Sequence, residues 1–260
     1  MIDLHVHTTC SDGIYSPMQV VELFTNMGYK EISITDHETF EAYYILKENQ
    51  VASRVRLIPG MEIEVEFEKK RLHMLAYYFN TNNNKLCNLM KQVQKHRQQE
   101  AILLLRKLRN LDNRVYERVL TKGKITISSI LRELANCGYG RTMQEVYDNL
   151  FVLTSKLRVN EFFPSVSEYV DVIQDAGGYL SLAHPFRQYE NYADLRCAVS
   201  RLVSLGVKGI ECFHPEHNKL QTEQCLRLAK VYGLKITGGS DFHRGKDIFK
   251  FDDRMLNYQI

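Results

Sequence analysis

Ile2-Asp3-Leu4-His5-Val6-His7 alternates apolar and polar residues, a pattern that predicts a short β-strand ending in two histidines. Alternate side chains of a strand point to the same face, so the imidazoles of His5 and His7 would lie side by side. Two neutral imidazoles on one face form a ready chelate for a divalent metal. Asp12 follows within the turn-like stretch Cys10-Ser11-Asp12-Gly13. A pair of exposed or hydrogen-bonded histidines is the alternative, so the residues that accompany this motif decide between the two interpretations.

Strands and helices alternate along most of the chain. Further strands are predicted at residues 31–35, 61–67, 72–79, 178–182, 209–213 and 234–237. Helices are predicted between most of them, and the first is indicated by Ser16-Pro17 at its start and Gly28 at its end. Alternation of this kind favours a mostly parallel, barrel-like α/β sheet of about seven strands over a β-sandwich.

Residues 84–163 break the alternation, because their apolar residues have helical spacing and no strand is evident. This segment holds 15 Lys+Arg against 7 Asp+Glu, whereas the rest of the chain holds 19 against 24. We therefore predict a basic helical insert at 84–163, a lid or substrate subdomain, within a catalytic barrel formed by 1–83 and 164–260. Its joints are predicted at Asn82-Asn83-Asn84 and near residues 162–165. A solvated basic surface without a binding role is the alternative.

The composition describes an ordinary globular protein. The chain has 260 residues, of which 44% are hydrophobic and 25% charged, and this excludes disorder, collagen and disulfide-rich scaffolds. A net charge of +3 is too small to indicate nucleic acid or a membrane surface as a partner. No apolar run approaches the ~18 residues of a membrane span. Six scattered cysteines without a C-x-x-C pair, and no leader-like stretch near Met1, favour reduced thiols and a cytoplasmic location.

Three more predicted strand ends carry histidine or aspartate. They are the stretches Thr35-Asp36-His37, Ala183-His184-Pro185 and Gly239-Ser240-Asp241-Phe242-His243. In barrels of alternating strands and helices the carboxyl ends of the strands form the active site, so these residues are expected to converge. Glu62, two residues after Gly60 of Pro59-Gly60, is the expected bridging carboxylate. Glu64 and Glu66 are expected on a solvated face, and His73, which begins a predicted strand, is the weakest candidate on physical grounds.

In this order, the motifs resemble those of the polymerase and histidinol phosphatase (PHP) family. The resemblance covers residues 1–80 and 164–243 and includes Gly60-Met61-Glu62-Ile63 and His73. It implies an α/β fold, a distorted (β/α)7 TIM-like barrel, whose strand ends hold two or three divalent ions and hydrolyse phosphate esters. One ion would be held by His5, His7, Glu62 and Asp241, a second by Glu62, His73 and His184, and a third by Asp12, His37 and His243. Mixed imidazole and carboxylate ligands suit Mn²⁺, Zn²⁺ or Fe²⁺.

Two further residues are expected beside the ions. Asp36 precedes the implied ligand His37 and could orient an imidazole by accepting its second N–H, or could cap the following helix. His214, in the stretch Gly209-Ile210-Glu211-Cys212-Phe213-His214-Pro215, matches a histidine common in one branch of the family. It could hydrogen-bond the reacting phosphate or protonate the leaving oxygen. His96 and His217 are expected to have no chemical role.

The predicted insert resembles the branch of the family that includes nucleoside 3′,5′-bisphosphate phosphatases and 5′-to-3′ exonucleases acting on short RNA. Arg97 occupies the position of its first helical arginine, and Glu100 stands where a second often lies. Gly140-Arg141 matches the start of its Gly-Arg-Pro-His stretch, but Thr142-Met143 replaces Pro-His. An arginine binds phosphate through two parallel hydrogen bonds, so Arg97 and Arg141 are the expected substrate-binding residues.

These observations predict a metal-dependent phosphoesterase that hydrolyses phosphate monoesters or diesters of nucleotides or short oligonucleotides with a metal-activated water. A phosphatase for another small phosphate ester, such as histidinol phosphate, is the alternative among enzymes. An alternative of a different class is a metal-stabilised binding or regulatory module, whose ions would have closed ligand shells. No recognition helix is evident, so neither sequence-specific DNA binding nor a membrane partner is expected.

Overall fold

The computed structural model describes residues 1–49, 55–121, 125–141, 145–146 and 163–245 of the chain. Residue contacts divide the chain into two compact units. The first unit is Met1–Asn88 with Pro164–Ile260, and the second is Leu89–Phe163. Each unit has an apolar core of its own, which is why the contacts separate them.

The strands of the first unit form two sheets. The bounds are β1 Ile2–Val6, β2 Glu31–Ile34, β3 Arg56–Leu57, β4 Gly60–Phe67, β5 Lys70–Tyr77, β6 Tyr179–Leu182, β7 Gly209–Phe213 and β8 Lys235–Gly238. Strands β1, β2 and β3 form a parallel sheet in that order, and β4 to β8 form the second sheet in chain order. In the second sheet β5 is antiparallel to both neighbours, whereas β6, β7 and β8 are parallel.

A two-residue turn makes β5 antiparallel to its neighbours, whereas the other described strand pairs are parallel. Glu68 and Lys69 join β4 to β5, and both have positive φ values, 51° and 65°. Two successive residues of this conformation form the tight turn whose twist matches a β-hairpin. No helix therefore separates β4 from β5, and β5 must run antiparallel to β4.

Helices occupy most of the other connections, which confirms the predicted α/β class. Their bounds among the described residues are α1 Pro17–Asn26, α2 Glu41–Glu48, α3 Asn84–Leu111, α4 Asn113–Thr121, α5 Ile127–Asn136, α6 Val166–Asp175, α7 Pro185–Gln188, α8 Tyr192–Ser204 and α9 Lys219–Tyr232. Ser16, Ser165 and Asn218 cap α1, α6 and α9, each accepting a hydrogen bond from the backbone three residues on. None of the helices described in this structure is long and apolar enough to cross a membrane.

The two sheets meet at both edges. At one edge the ends of β1 and β8 are linked, since His7 N donates a hydrogen bond to Phe242 O (2.8 Å). At the other edge, Glu62 N donates to Thr35 O (3.1 Å) and Glu38 N donates to Glu62 O (2.8 Å). These links lie beyond the carboxyl ends of β1, β2 and β8, so they gather the segments that carry the predicted ligands.

The second unit is helical in its described part. Its core consists of apolar residues of α3, α4 and α5 and one residue beyond them, namely Ala101, Leu105, Leu108, Val115, Val119, Ile130, Leu131, Leu134 and Val146. Glu133 is buried in the same unit, and its charge is balanced by Arg118, whose Nε donates to Oε2 at 2.7 Å. The predicted helix at residues 143–153 lies mostly outside the described residues.

The first boundary between the units lies inside a helix. Helix α3 runs unbroken from Asn84 to Leu111, and the boundary falls after Asn88. Asn83 stands before the helix, and its side-chain oxygen accepts a hydrogen bond from Leu86 N (3.0 Å). The predicted joint at Asn82-Asn83-Asn84 is therefore a helix start, whereas the second boundary, after Phe163, falls within the predicted joint.

Gly239 leaves no room for a side chain between β8 and β1. A Cβ atom there would lie 2.4 Å from both Cβ and N of His5 and 2.7 Å from Asp3 Oδ1. We expect Gly239→Ala to lower the free energy of unfolding by about 3 kcal/mol, because the β1 backbone must shift.

Gly233→Ala is the control for this prediction. Its Cβ would meet nothing within 4 Å, and only the φ of +63° opposes the change, at a cost of about 1 kcal/mol. Urea denaturation measures both variants. An equal loss of stability would contradict the close packing of Gly239 against His5.

Candidate metal centre

The nine residues predicted as metal ligands lie together in the first unit. Each offers a ligand atom to at least one of four groups, and the atoms of a group lie within 4.8 Å of one another. The groups are His7, Asp12, His37 and His243; His5, His7 and Asp241; His5, Glu62 and His184; and His37, Glu62 and His73. Shared members join the groups, and we call these nine residues the ligand cluster.

Strand direction explains how distant segments reach the cluster. Six members lie at or just beyond the carboxyl ends of parallel strands, namely His5, His7, His37, His184, Asp241 and His243. His73 is the fourth residue of β5, whereas the sequence predicted it at the beginning of that strand. Because β5 is antiparallel to β4 and β6, its first half lies at the carboxyl ends of those strands, and Ala183 N donates to His73 O (3.2 Å). His73 therefore obeys the strand-end rule through its neighbours.

Glu62 lies at the centre of the cluster and is 1% exposed. Three imidazole nitrogens face its Oε2 at 3.3, 3.2 and 3.4 Å, from His5, His7 and His37. Two more face its Oε1 at 2.8 and 3.0 Å, from His73 and His184. One buried carboxylate thus has imidazoles at both oxygens, an arrangement that suits a carboxylate bridging two ions.

The three glutamates of β4 differ in exposure along the strand. Glu62 is buried, the Glu64 side chain is 25% exposed and lies 3.8 Å from Arg71 Nη1, and Glu66 is exposed. The face of β4 that carries the glutamates therefore becomes exposed along the strand, whereas Val65 and Phe67 on the other face stay buried. Its first glutamate alone belongs to the ligand cluster.

Two aspartates complete the cluster. Asp241 Oδ1 lies 3.3 Å from Nε2 of His5 and 3.3 Å from Nε2 of His7. Asp12 Oδ2 lies 3.1 Å from His243 Nε2, and Asp12 Oδ1 lies 3.4 Å from His7 Nδ1. The two nitrogens of His7 thus face different aspartates, which places His7 between two parts of the cluster.

The cluster is buried on one side and open on the other. His5 and His7 are fully buried, whereas three other imidazoles are 26%, 33% and 26% exposed, those of His37, His73 and His243. The buried side keeps water from the inner ligands. The partly exposed histidines mark the side from which a substrate can enter.

Charges within the cluster compensate one another. Burial raises the pKa of the Glu62 carboxyl, but neighbouring histidines, His37 foremost, outweigh it and hold that pKa well below its ordinary value. Burial lowers the pKa of His7, but the Asp241 and Glu62 carboxylates outweigh it and raise that pKa to about 10. Burial dominates at His184 and lowers its pKa to about 4. Protons on imidazoles such as His7 balance the carboxylates, and cations that bind there must displace them.

The donor set fits divalent cations. Both ring nitrogens of His7 are buried and make no hydrogen bond to a described residue, although carboxylate oxygens lie 3.2, 3.3 and 3.4 Å away. Ligand atoms around an ion with bonds of about 2.1 Å are spaced by roughly 3 to 3.5 Å, so these separations suit a shared ion. Mixed imidazole and carboxylate donors suit Zn²⁺, Mn²⁺ or Fe²⁺.

Asp36 is buried beside the cluster and fixes the loop that leads to Asp12. Its Oδ1 accepts hydrogen bonds from Thr8 N (2.7 Å) and Ser11 Oγ (2.5 Å), and its Oδ2 accepts one from Thr8 Oγ1 (2.6 Å). The N-cap of α2 is Phe40, so Asp36 does not cap that helix. These bonds hold a loop, whereas the sequence predicted a bond to an imidazole or a helix cap.

His214 follows β7 and lies at the edge of the cluster. Its Nδ1 accepts a hydrogen bond from Glu216 N (3.2 Å), so the ring proton belongs on Nε2. That Nε2 lies 3.5 Å from Asp241 Oδ2. His217 is buried nearby with its Nδ1 3.2 Å from Cys212 O. Of these two histidines, His214 is the one that presents an N–H group to a cluster carboxylate.

Two charged residues contact the cluster without having been predicted from the sequence. Glu211 Oε1 lies 2.9 Å from His5 Nδ1, and Glu211 Oε2 accepts a hydrogen bond from His184 N (2.6 Å). Arg187 Nη1 donates to Asp241 Oδ2 at 3.0 Å. The sequence could have indicated Glu211 as a site residue, because it is the acidic residue of the otherwise uncharged, fully buried strand β7. For Arg187, the sequence offers no indication of a site role other than its position three residues after His184.

The two predicted substrate-binding arginines belong to the second unit. The Arg97 guanidinium carbon lies 4.1 Å from the centroid of the Phe163 ring, and Nη1 lies 3.3 Å from Glu100 Oε2. Glu100 thus pairs with Arg97 at the position where the resemblance has a second arginine. Arg141 is exposed, and its backbone N donates to Glu145 Oε2 (2.8 Å). The binding role of both arginines stays a prediction.

Three known proteins resemble this chain over nearly all of its length. The chain is 27% identical to 5′-3′ exoribonuclease Rnm of Escherichia coli (strain K12), over 93% of this chain and 85% of the relative. It is 29% identical to phosphoribosyl 1,2-cyclic phosphate 1,2-diphosphodiesterase of Eggerthella lenta, over 93% of each chain. It is 25% identical to 3′,5′-nucleoside bisphosphate phosphatase of Chromobacterium violaceum, over 97% of this chain and 92% of the relative.

The fold is shared with a solved structure from Bifidobacterium adolescentis, which has a TM-score of 0.81 at 22% identity and is matched over 98% of both chains. The family model described as PHP domain matches residues 3–185. That segment is more than half of the chain and contains every member of the ligand cluster except Asp241 and His243. The chain therefore belongs to the PHP domain family, as its sequence motifs predicted.

Proposed function

We propose that this metal-dependent phosphoesterase of the PHP family hydrolyses phosphate esters of nucleotides or short oligonucleotides, using two or three divalent ions held by the ligand cluster. The observation that carries the proposal is the buried Glu62 carboxylate with imidazoles at both oxygens. Bound ions would activate a water as nucleophile and neutralise phosphoryl oxygens. A purely structural metal site would have a closed ligand shell, and the partly exposed histidines argue against one.

Contacts within the cluster support an assignment of ligands to ions. The first ion is assigned to His5, His7, Glu62 and Asp241, because Glu62 Oε2 and Asp241 Oδ1 face the same two imidazoles. The second is assigned to the residues around Glu62 Oε1, namely Glu62, His73 and His184. The third is assigned to Asp12, His37 and His243. Mn²⁺, Zn²⁺ and Fe²⁺ are the proposed ions.

His214 is proposed to act on the reacting phosphate or the leaving group. The hydrogen bond from Glu216 N leaves the His214 proton on Nε2, beside Asp241. An N–H group in this place can bind a phosphoryl oxygen or pass its proton to the departing oxygen. Asp36 is proposed to support the reaction indirectly, because it holds the loop that leads to Asp12.

The position of Arg187 supports the proposal that the substrate is an anion. Its Nη1 binds Asp241, its Nε lies 3.4 Å from Glu216 Oε2, and its side chain is 37% exposed. A guanidinium has five N–H groups arranged as a planar fork, so these two contacts leave donors for a phosphoryl oxygen. We assign Arg187 to the reacting phosphate itself, since it contacts an aspartate of the ligand cluster.

The finer architecture is proposed to be a distorted (β/α)7 TIM-like barrel, the PHP fold, with an inserted helical subdomain at 84–163. Hydrogen bonds from the β1 end to the β8 end and from Glu62 to Thr35 support a closed sheet. An excess of basic residues in the insert, 15 Lys+Arg against 7 Asp+Glu, supports its binding of additional phosphates of the substrate. Arg97 and Arg141 are the proposed ligands for those phosphates.

The similar proteins support a substrate with a phosphorylated ribose. Their names refer to RNA, to a nucleoside bisphosphate and to a phosphoribosyl cyclic phosphate. These three chemistries favour a nucleotide or a short RNA over histidinol phosphate. A cyclic phosphate diester is the second candidate, because the relative named for it is 29% identical over 93% of both chains.

A substrate panel tests the proposal directly. The metal-loaded protein would be given a nucleoside 3′,5′-bisphosphate, a 5′-phosphorylated RNA, a phosphoribosyl cyclic phosphate and histidinol phosphate, and kcat/KM would be measured for each. We expect the first two to be hydrolysed best. A higher kcat/KM for histidinol phosphate, or hydrolysis of none of the four, would overturn the proposal.

Glu62→Gln separates the metal mechanism from ordinary folding effects. The substitution keeps the size of the side chain but removes the charge that would bridge two ions. We expect kcat to fall by about 10³-fold or more, because the ions supply several kcal/mol of transition-state stabilisation. Glu66→Gln, an exposed position of the same strand, is the matched control and should leave kcat unchanged. Undiminished turnover by a Glu62→Gln protein with an intact circular dichroism spectrum would contradict the mechanism.

Arg141→Ala tests whether the second unit binds additional phosphates of the substrate. We expect kcat/KM to fall by about 10- to 100-fold for the bisphosphate and the RNA, and much less for a simple monoester. Arg106→Ala, an exposed arginine of the same unit, controls for the loss of one positive charge. Arg187→Ala is the contrast, because a residue at the reacting phosphate should affect all three substrates alike. An equal effect of Arg141→Ala on all three would argue against its proposed role.

A further inference from the structure

Glu211 is a fully buried acidic residue in the middle of β7. A buried carboxylate without partners costs several kcal/mol, so its partners determine what the residue does. Both oxygens are occupied: Oε1 lies 2.9 Å from His5 Nδ1, and Oε2 lies 2.6 Å from His184 N. These partners are two members of the ligand cluster, and they come from different strand ends.

The contact with His5 bears on which ring nitrogen is available to an ion. His5 Nε2 lies 3.3 Å from Glu62 Oε2 and 3.3 Å from Asp241 Oδ1, so this nitrogen faces the cluster. A carboxylate can only accept a hydrogen bond, so His5 must donate its proton from Nδ1 to Glu211. The Nε2 lone pair is then directed at the cluster, as an ion requires.

The contact with His184 bears on the backbone. His184 has φ 25° and ψ 63°, a left-handed conformation that residues other than glycine rarely adopt. Its N–H donates to Glu211 Oε2, and its ring Nε2 lies 3.0 Å from Glu62 Oε1. The hydrogen bond to Glu211 therefore stabilises the backbone conformation that aims the ring at Glu62.

We propose that Glu211 is a positioning residue that fixes the tautomer of His5 and the backbone of His184, and so aligns ligands of the first and second ions. The proposal rests on the proposed metal centre. It assigns Glu211 no contact with substrate. One carboxylate thereby couples the two sides of the Glu62 bridge.

Glu211→Gln tests this role because glutamine has the same size but a single acceptor oxygen. When that oxygen accepts from His184 N, the amide NH₂ group faces His5 Nδ1. The NH₂ group then donates a hydrogen bond to Nδ1 and stabilises the His5 tautomer that has its proton on Nε2. In that tautomer Nε2 has no lone pair for an ion. Glu211→Asp keeps the charge with a shorter side chain, so partial recovery is expected.

Calorimetric titration of the metal-free full-length protein with Mn²⁺ gives the main readout. We expect Glu211→Gln to weaken binding about 10- to 100-fold and Glu211→Asp to weaken it less. Thr237→Val is the matched control, since Thr237 is paired with Glu211 in register on β8 and bonds Ser181, outside the cluster. Wild-type affinity in a folded Glu211→Gln protein would overturn the proposal, as would an equal loss in Thr237→Val.

A second measurement needs no Glu211 variant, so it tests the proposal even if such a variant does not fold. In ¹⁵N-histidine-labelled, zinc-loaded protein, the His5 signal is assigned by its loss in His5→Gln. We expect a proton on Nδ1 and zinc on Nε2, and zinc on Nδ1 would overturn the proposal. Neither readout uses a phosphate substrate. Failure of hydrolysis would therefore count against the proposed function alone, and unchanged metal binding against the role of Glu211 alone.

Discussion

The Glu62 carboxylate is buried with imidazoles at both of its oxygens. An uncompensated buried charge costs a large part of the net stability of a domain, so the chain must bring positive charge to this point from several strands. It does so with the carboxyl ends of parallel strands and with the first half of antiparallel β5. The Glu68-Lys69 turn is the irregularity that this arrangement requires. A helical crossover to a parallel β5 would have placed His73 near the opposite end of the strands.

Two members of the cluster have strained backbones. His184 and Asp241 have positive φ values, 25° and 51°, which cost residues other than glycine about 1 to 3 kcal/mol each. Both belong to the ligand cluster, and each is held by a residue outside it, His184 by Glu211 and Asp241 by Arg187. Gly239 lacks a side chain where β1 occupies the space. The geometry of the ligands therefore depends on residues that are not ligands, and these residues have no reason to share the ligands' sequence motifs.

The features of this structure that can be predicted from the sequence are those that depend on residues close together in the chain. The period of two places His5 and His7 on one face, and it does so whatever the rest of the chain does. The residues of a strand do not determine its direction relative to its neighbours. His73 therefore could not be placed near the other ligands until β5 was known to be antiparallel. Glu211 lies 206 residues from its partner His5, so no spacing connects them. Asn83 shows a third difficulty, since the residue types that form turns also cap helices.

Charge is unevenly distributed along the chain. Residues 84–163 hold 15 Lys+Arg against 7 Asp+Glu, whereas the remainder holds 19 against 24. Carboxylates of the ligand cluster would repel a phosphate, so the proposed reaction depends on cations that these carboxylates would bind first. Arg187 adds a fixed cation at Asp241, which supports its proposed role in binding the reacting phosphate. In the proposed function, the excess of basic residues at 84–163 binds the other phosphates of the substrate. The three similar proteins are named for three different phosphate esters although each matches 93% or more of this chain. We propose that substrate choice depends on side chains that differ among proteins of this fold and length. Glu100, which pairs with Arg97 where the resemblance has an arginine, is proposed as one such position.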